Sequence, residues 1–159
     1  MANATMHPRN AINAKMAECY IKIGEQTYNF MSAINVEVNF EKNKTEVAIL
    51  GRPNKGHKTV SSTITGSAEF HYNTSIMREL AQKFQNTGED TYFDMVIINN
   101  DPTSNVGRQT ITLYDCNADG ITLAAFDADN DDYLTETMDF TVERFEIGES
   151  FQTMDGMIM

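Results

Sequence analysis

The sequence predicts a mainly β protein, with antiparallel sheets of about eight strands and a single α-helix packed on one side. Segments in which apolar and polar side chains alternate with a period of two recur through most of the chain, as half-buried strands require. One segment, residues 73–88, repeats its apolar side chains with helical spacing instead. A lone helix among many strands does not fit the regular strand–helix alternation of a parallel sheet.

The composition fits one folded domain. The chain has 159 residues, of which 41% are hydrophobic, and this is enough for a single core. It holds no apolar run long enough to span a membrane, and residues 1–16 lack the apolar segment of a signal peptide. Cys19 and Cys116, the two cysteines, lie in apolar-rich segments, so we expect reduced, buried thiols in a protein made in the cytoplasm.

The charge is unevenly distributed. Residues 41–59, here called the basic arm, hold five Lys or Arg against two Glu, whereas the rest of the chain holds seven Lys or Arg against 21 Asp or Glu. A chain with a net charge of −11 should repel nucleic acid and bare anionic membrane, because both attract cationic patches. An acidic surface that serves only solubility is the alternative interpretation.

The first half of the chain predicts two hairpins. Residues 18–23 and 26–31 flank Gly24-Glu25 and read as short strands about a tight turn. A clean alternation over residues 33–40 leads directly into the basic arm, whose tip is predicted at residues 51–56 because Gly, Pro and Asn favour turns. An extended hairpin with about nine residues in each limb would reach roughly 30 Å.

The alternation resumes from Thr59 to Tyr72, which is longer than the usual strand of about 5–6 residues. Gly66 lies on its apolar side and indicates a bend, a bulge or a close backbone approach. The helix should follow, with N-cap candidates at residues 73–75 and a stop at Gly88. Its polar side chains, Arg78 among them, are expected on the solvent side, opposite a stripe formed by Ile76, Met77, Leu80, Ala81 and Phe84.

Four further strands are predicted in the second half, at residues 92–98, 109–116, 121–126 and 135–147, with a loop at 99–107. The apolar phase of the last strand shifts by one residue near Glu143-Arg144, which predicts a bulge or kink there. Between the second and third of these strands, Asp119-Gly120 suggests a hairpin turn.

Little in the sequence points to chemistry. Residues 115–120 match the first half of a calcium loop, D-x-N-x-D-G, but the twelfth position is Phe126, which cannot supply the required carboxylate. A β-sandwich that binds calcium through this segment and the acidic cluster Asp127, Asp129, Asp131 and Asp132 is therefore a weaker alternative. No metal-ligand, nucleophile or phosphate-loop motif is present, so we predict no metal, no cofactor and no enzymatic activity.

Two segments carry a family resemblance. EKNKTEVAILGRPNKGHKT, followed by TGSAEFHY, resembles the tail-tube proteins of contractile phage tails, in particular the XkdM type of PBSX-like prophages. The segment TITLYDCNADGITLAAFDADNDDYLTETMDFTVERFEI is similar to the C-terminal half of the same family. Together they cover well over half of the chain in the order of the family.

The resemblance implies a β-sandwich or half-barrel with one flanking helix, in a single tail-tube domain over residues 1–159. It has an N-terminal arm at 1–17, an inter-ring arm at 41–59 and a C-terminal tail at 148–159. Six subunits close into a ring and rings stack into a hollow tube that conducts DNA, or that punctures a target cell in a phage-tail-like bacteriocin. A ring protein of the related type VI secretion class is the alternative.

The resemblance also implies partners and contact residues. The chain itself, the tail sheath protein, a baseplate or tube initiator and a tail terminator are the expected partners, while DNA passes without specific binding and no membrane is bound. The particle is a virion tail or a phage-tail-like particle, made in the bacterial host cytoplasm. Ring stacking is assigned to Lys42, Lys44, Arg52, Lys55, His57 and Lys58. Asp127, Asp129, Asp131 and Asp132 form either an acidic lumen lining or a docking surface.

Overall fold

A computed structural model describes residues 5–158 of the chain and shows eight β-strands and one α-helix. In chain order the elements are β1 (Ala17–Ile23), β2 (Gln26–Asn29), β3 (Ala33–Val47), β4 (Gly56–His71), α1 (Ile76–Thr87), β5 (Phe93–Asn100), β6 (Arg108–Ile121), β7 (Thr135–Val142) and β8 (Arg144–Glu149). The hydrogen-bonded strand order is β2-β1-β5-β6-β7-β4-β3, and β8 also pairs with β6. The predicted class, mainly β with antiparallel pairing and one helix, is confirmed.

The residues fall into two compact units. The first contains the chain up to Met31, residues 91–115 and the chain from Arg144 onward; the second contains residues 32–90 and 116–143. Strand β6 begins in the first unit and ends in the second.

In the first unit, β1 and β2 form the predicted hairpin. Ile23 pairs with Gln26, and Gly24 closes the turn with a φ of 62°, a backbone angle that glycine adopts without steric cost. Strand β1 also pairs antiparallel with β5, with Cys19 opposite Ile97. The core of this unit is formed by buried apolar side chains, among them Cys19, Ile21, Phe93, Met95 and Leu113.

Both cysteines are free and buried, as predicted. Burial raises the pKa of the Cys19 thiol to about 12, because a thiolate would lose its hydration there.

A hydrogen bond to Asp101 of its own unit holds the segment that precedes β1. Residues 8–10 form a short 3-10 helix, and the backbone N–H of Asn13 donates to the carboxylate of Asp101 at 2.9 Å. Asp101 is only 3% exposed and also accepts from the hydroxyl and the backbone N–H of Thr103. These hydrogen bonds, that of the Thr103 hydroxyl first, lower the pKa of Asp101.

In the second unit, β3 and β4 are longer than predicted because the strands continue through the basic arm. They pair antiparallel from Ala33 opposite Phe70 to Val47 opposite Gly56, with a register shift between Asn43 and Lys44. Strand β7 pairs with the other edge of β4. Side chains at even positions of β7 and of the last residues of β4 fill the core, which includes Ala68, Phe70, Met138, Phe140 and Val142.

Gly66 confirms the predicted close approach. A Cβ atom at this position would lie 2.5 Å from Cζ of Phe140 and 3.1 Å from the backbone oxygen of Glu37. The ring of Phe140 therefore occupies the space that any side chain at residue 66 would need.

The helix α1 begins after Ser75 and ends at Gly88, which has the left-handed conformation with a φ of 74°. Both boundaries agree with the sequence. Met77 is buried within the predicted stripe, whereas Phe84, in the last turn, is 54% exposed. The helix has 12 residues, and no helix within residues 5–158 is long and apolar enough to cross a membrane.

The predicted hairpin at Asp119-Gly120 is wrong. Residues 108–121 form one strand, β6, and residues 122–126 are not a strand. Asp115 adopts a φ of 53°, and the register with β7 shifts between Ala118 and Gly120. The turn-forming residues therefore lie in bulges of a continuous strand. Strand β6 pairs with β8 along residues 110–114 and with β7 along residues 117–121. Because this segment is extended, it forms no calcium loop.

The predicted irregularity near Glu143-Arg144 is confirmed, since β7 ends at Val142 and β8 begins at Arg144.

Candidate assembly surfaces

The basic arm is a two-stranded hairpin. Residues 41–47 of β3 pair with the start of β4, where Lys44 lies opposite Thr59 and Val47 opposite Gly56. Residues 48–55 close the hairpin, in agreement with the predicted tip. Seven paired residues at about 3.4 Å each give a ladder of roughly 24 Å, shorter than expected because the closing segment takes up more residues.

Neither face of the arm is covered by the described residues of its own unit. Every residue from 41 to 59 is exposed except Gly56, which is half-buried. In a strand, successive side chains point to opposite faces, so exposure at consecutive positions means that both faces are open. A hairpin of this length that packs on nothing in its own unit is a surface available for assembly.

The six residues assigned to ring stacking all lie on this hairpin. Lys42 and Lys44 are in β3, Arg52 and Lys55 in the closing segment, and His57 and Lys58 in β4. Lys55 forms an ion pair with Glu46 at 3.6 Å, in which both side chains are more than 60% exposed. Within the described part of the chain, no ion pair joins a carboxylate to Lys42, Lys44, Arg52 or Lys58. Their role in stacking stays a prediction.

The predicted acidic cluster lies in the irregular segment 122–134 between β6 and β7. Asp127 accepts from the backbone N–H of Asp129 at 3.1 Å, and Asn130 accepts from that of Asp132 at 3.0 Å. These local turns leave all four Asp side chains exposed. Among residues 5–158, no group of three or more His, Cys, Asp or Glu is arranged to hold a metal ion.

An ion pair that the sequence did not predict connects the start of this segment with β7, the strand that follows it. The guanidinium of Arg78 donates to the carboxylate of Glu136, to the backbone oxygen of Thr74, and to that of Thr122 at 3.2 Å. It also lies 4.3 Å from the centre of the Tyr72 ring. The Arg78 side chain is 17% exposed, so its placement on the solvent side was wrong.

The sequence contained a signal for the Arg78–Glu136 ion pair. Glu136 has the same strand parity as Met138 and Phe140, so the alternation places its carboxylate on the core face. A carboxylate there needs a cation, and Arg78 supplies it from α1.

The opposite face of the same sheet is polar and acidic. Glu37, Ser67 and Asp139 lie side by side across β3, β4 and β7, and Asp139 lies opposite Gly120 of β6. The neighbouring positions on this face are Asn35, Asn39, Thr65, Glu69, Asn117, Asp119, Thr137 and Thr141. None of these residues is Lys or Arg. Asp119 and Asp139 line a shallow depression of about 280 Å³.

Comparison with known proteins identifies the family. The family described as "Phage tail tube protein" matches residues 4–149. The phage-like element PBSX protein XkdM of Bacillus subtilis strain 168 is 36% identical over 141 residues, which cover 89% of this chain and 92% of XkdM.

Two solved structures share the fold. A chain of the anti-feeding prophage baseplate has a TM-score of 0.65 at 10% identity and covers 86% of this chain and 95% of its own. The second is a chain of the PVC extracellular contractile injection system, from its sheath–tube complex in the extended state. It has a TM-score of 0.62 at 14% identity, and the match covers 88% of the present chain and 92% of the PVC chain. The family that the sequence motifs predicted is therefore confirmed: the chain belongs to the phage tail tube proteins.

Proposed function

We propose that the chain forms rings of six subunits that stack into the inner tube of a contractile phage tail or phage-tail-like particle. The observation that carries this proposal is the basic arm, a long hairpin open on both faces in a chain that is otherwise acidic. The two solved structures with the same fold support an arrangement in stacked rings, since one comes from a baseplate with six-fold symmetry and the other from a sheath–tube complex. In this function the chain acts by assembly and not by catalysis.

Ring closure uses the free edges of the sheet. Strands β2 and β3 are the two ends of the strand order, so within residues 5–158 one edge of each has no strand beside it. An open edge presents unpaired N–H and C=O groups that pair with another strand, and closing a ring of subunits removes such edges.

Ring stacking uses the basic arm. Lys42, Lys44, Arg52, Lys55, His57 and Lys58 would meet acidic side chains of a subunit in the next ring. Each exposed ion pair contributes only about 0–1 kcal/mol. Because head-to-tail stacking does not close, the same small contribution repeats six times in each ring and along the tube. The exposed cluster formed by Asp127, Asp129, Asp131 and Asp132 serves as the acidic docking surface.

The lumen is lined by the polar face of the second unit. A face built from Ser, Thr and Asn with the carboxylates of Glu37, Glu69, Asp119 and Asp139, and without Lys or Arg, repels a polyanion rather than binding it. DNA therefore slides past this surface without specific contacts. The sheath, the tube initiator and the terminator complete the particle, and no membrane is bound by the subunit.

Charge reversal in the arm tests the stacking assignment. We expect the variant Lys55→Glu/Lys58→Glu to fold and to form rings, but not tubes, because the substituted arm repels the acidic surface of the next ring. The control Lys15→Glu/Lys83→Glu changes the net charge equally outside the arm, and it should form tubes of normal length. Electron microscopy of both proteins at high concentration gives the comparison. Tubes of normal length from the arm variant would show that these two lysines do not contribute to stacking.

The relationship to XkdM, a protein of a phage-like element, favours the phage tail over a type VI secretion ring. Micrographs of the native particle test this point directly. A tube inside a contractile sheath with a phage-type baseplate agrees with the proposal, whereas particles anchored in the membrane of the producing cell contradict it.

A further inference from the structure

The tip of the basic arm presents an apolar side chain to solvent. The backbone N–H of Arg52 donates to the oxygen of Ile49 at 3.2 Å, and Gly51 has a φ of 81°. A turn with a left-handed third residue needs glycine there, and it leaves the second residue at the apex. That second residue is Leu50, whose exposed fraction of 103% is the highest of any large hydrophobic residue within positions 5–158.

Other apolar side chains continue from Leu50 into the hairpin. Val47 and Ile49 are 40% and 39% exposed. Cδ1 of Ile49 would lie 3.4 Å from a Cβ atom at residue 56, so the glycine there leaves room for the isoleucine to lie against the strand. Val47, Ile49 and Leu50 are therefore three exposed apolar side chains within four residues at the end of the arm, here called the apolar tip.

We propose that the apolar tip is buried against a second copy of this chain, and that this burial, more than the surrounding lysines, holds successive rings together. The inference rests on the proposed function and names the source of the stacking energy. The occupant is a second copy because of charge complementarity: five Lys or Arg and two Glu surround the tip, and the rest of the chain has a threefold excess of acidic over basic side chains. The lysines then guide the approach of the arm, and the tip supplies the affinity.

The two contributions respond differently to salt. Exposed ion pairs weaken as salt screens them, because the Debye length falls from about 10 Å at 0.1 M to about 3 Å at 1 M. Apolar burial does not weaken in this way, and sulfate strengthens it. We therefore expect preformed wild-type tubes to persist in about 1 M NaCl and to be stabilised by sulfate.

Leu50→Ser is the decisive variant, and Leu50→Met is its matched control, since methionine keeps the apolar volume. Because the side chain makes no contact that shields it from solvent in the subunit, neither substitution should change the melting temperature or the formation of rings. Losing the burial of one leucine weakens each contact about tenfold to hundredfold, and because six such contacts join two rings, the concentration of rings needed for tube growth should rise by at least that factor. Light scattering gives this concentration, and electron microscopy shows whether rings or tubes are present.

The outcomes separate this inference from the proposed function. If Leu50→Ser forms tubes at the wild-type concentration, or if wild-type tubes fall apart into rings in high salt, the apolar tip does not hold the rings together, and the tube function itself still stands. If Leu50→Ser stops at rings and Leu50→Met forms tubes, the inference holds. If the wild-type chain forms neither rings nor tubes under any condition, the proposed function fails and the inference fails with it.

Discussion

Replacing Arg78 with methionine would remove the cation that balances the buried carboxylate of Glu136 while keeping most of the apolar stem. The Glu136 side chain is 4% exposed and that of Arg78 is 17% exposed. Removing one partner of a buried ion pair costs roughly 3–5 kcal/mol, because the other charge stays out of water. We expect about 3 kcal/mol, the lower end, since water can reach the position of the partly exposed guanidinium. This is a large share of the roughly 5–15 kcal/mol by which a domain is stable.

The measurement is urea denaturation of the unassembled subunit, followed by circular dichroism. Arg108→Met is the matched control, because Arg108 forms a two-pronged ion pair with Glu149 whose side chains are 48% and 49% exposed. That exposed pair should contribute at most about 1 kcal/mol. The double variant Arg78→Met/Glu136→Met should regain most of the lost stability, because no buried charge is left without a partner. A loss below about 1 kcal/mol for Arg78→Met would refute the reasoning, as would a double variant less stable than Arg78→Met.

Three further outcomes are expected. Gly66→Ala should destabilise the subunit by about 1–3 kcal/mol in the same assay, because its methyl group meets the Phe140 ring, and Phe140→Leu should partly restore stability by making room. The pKa of Asp101 is lowered, so its hold on Asn13 is complete above the ordinary value of 3.8 and is lost as the pH falls below it. Hydrogen exchange at Asn13 should therefore be protected above that pH, and Asp101→Asn should weaken the protection. The raised pKa of Cys19 should make alkylation of this thiol in the folded protein at mildly alkaline pH much slower than in denaturant, measured on Cys116→Ala, and equal rates would contradict its burial.

The long alternating segments were predictable because one physical rule governs them. Outside the basic arm, β3 and β4 carry mostly apolar side chains on one face and polar side chains on the other, and the period of two is visible without any knowledge of pairing. The caps of α1 were predictable for a similar reason, since the residues that end a helix act within one turn.

The course of β6 was not predictable. The local conformational preferences of an Asp-Gly pair suit a hairpin turn and a β-bulge equally well. Which of the two forms depends on whether a partner strand continues past the pair. Strand β7 does continue past it, pairing with residues 117–121, but it begins more than ten residues further along the chain. In the basic arm, too, some features were predictable from the sequence and others depend on the fold. Its charge and its tip were visible in the sequence, whereas the full exposure of Leu50 depends on what the rest of the fold leaves uncovered.

Strand β7 pairs with β4 only from Ile64 onward, so residues 41–47 of β3 and their partners in β4 form a two-stranded hairpin with a register shift between Asn43 and Lys44. Beyond this shift, an insertion of two residues in each limb would lengthen the arm by about 7 Å and keep every side chain on its original face. An insertion of one residue in each limb would turn Leu50 to the opposite side. The arm can therefore change in length and keep Leu50 on the same side only in steps of two residues in each limb.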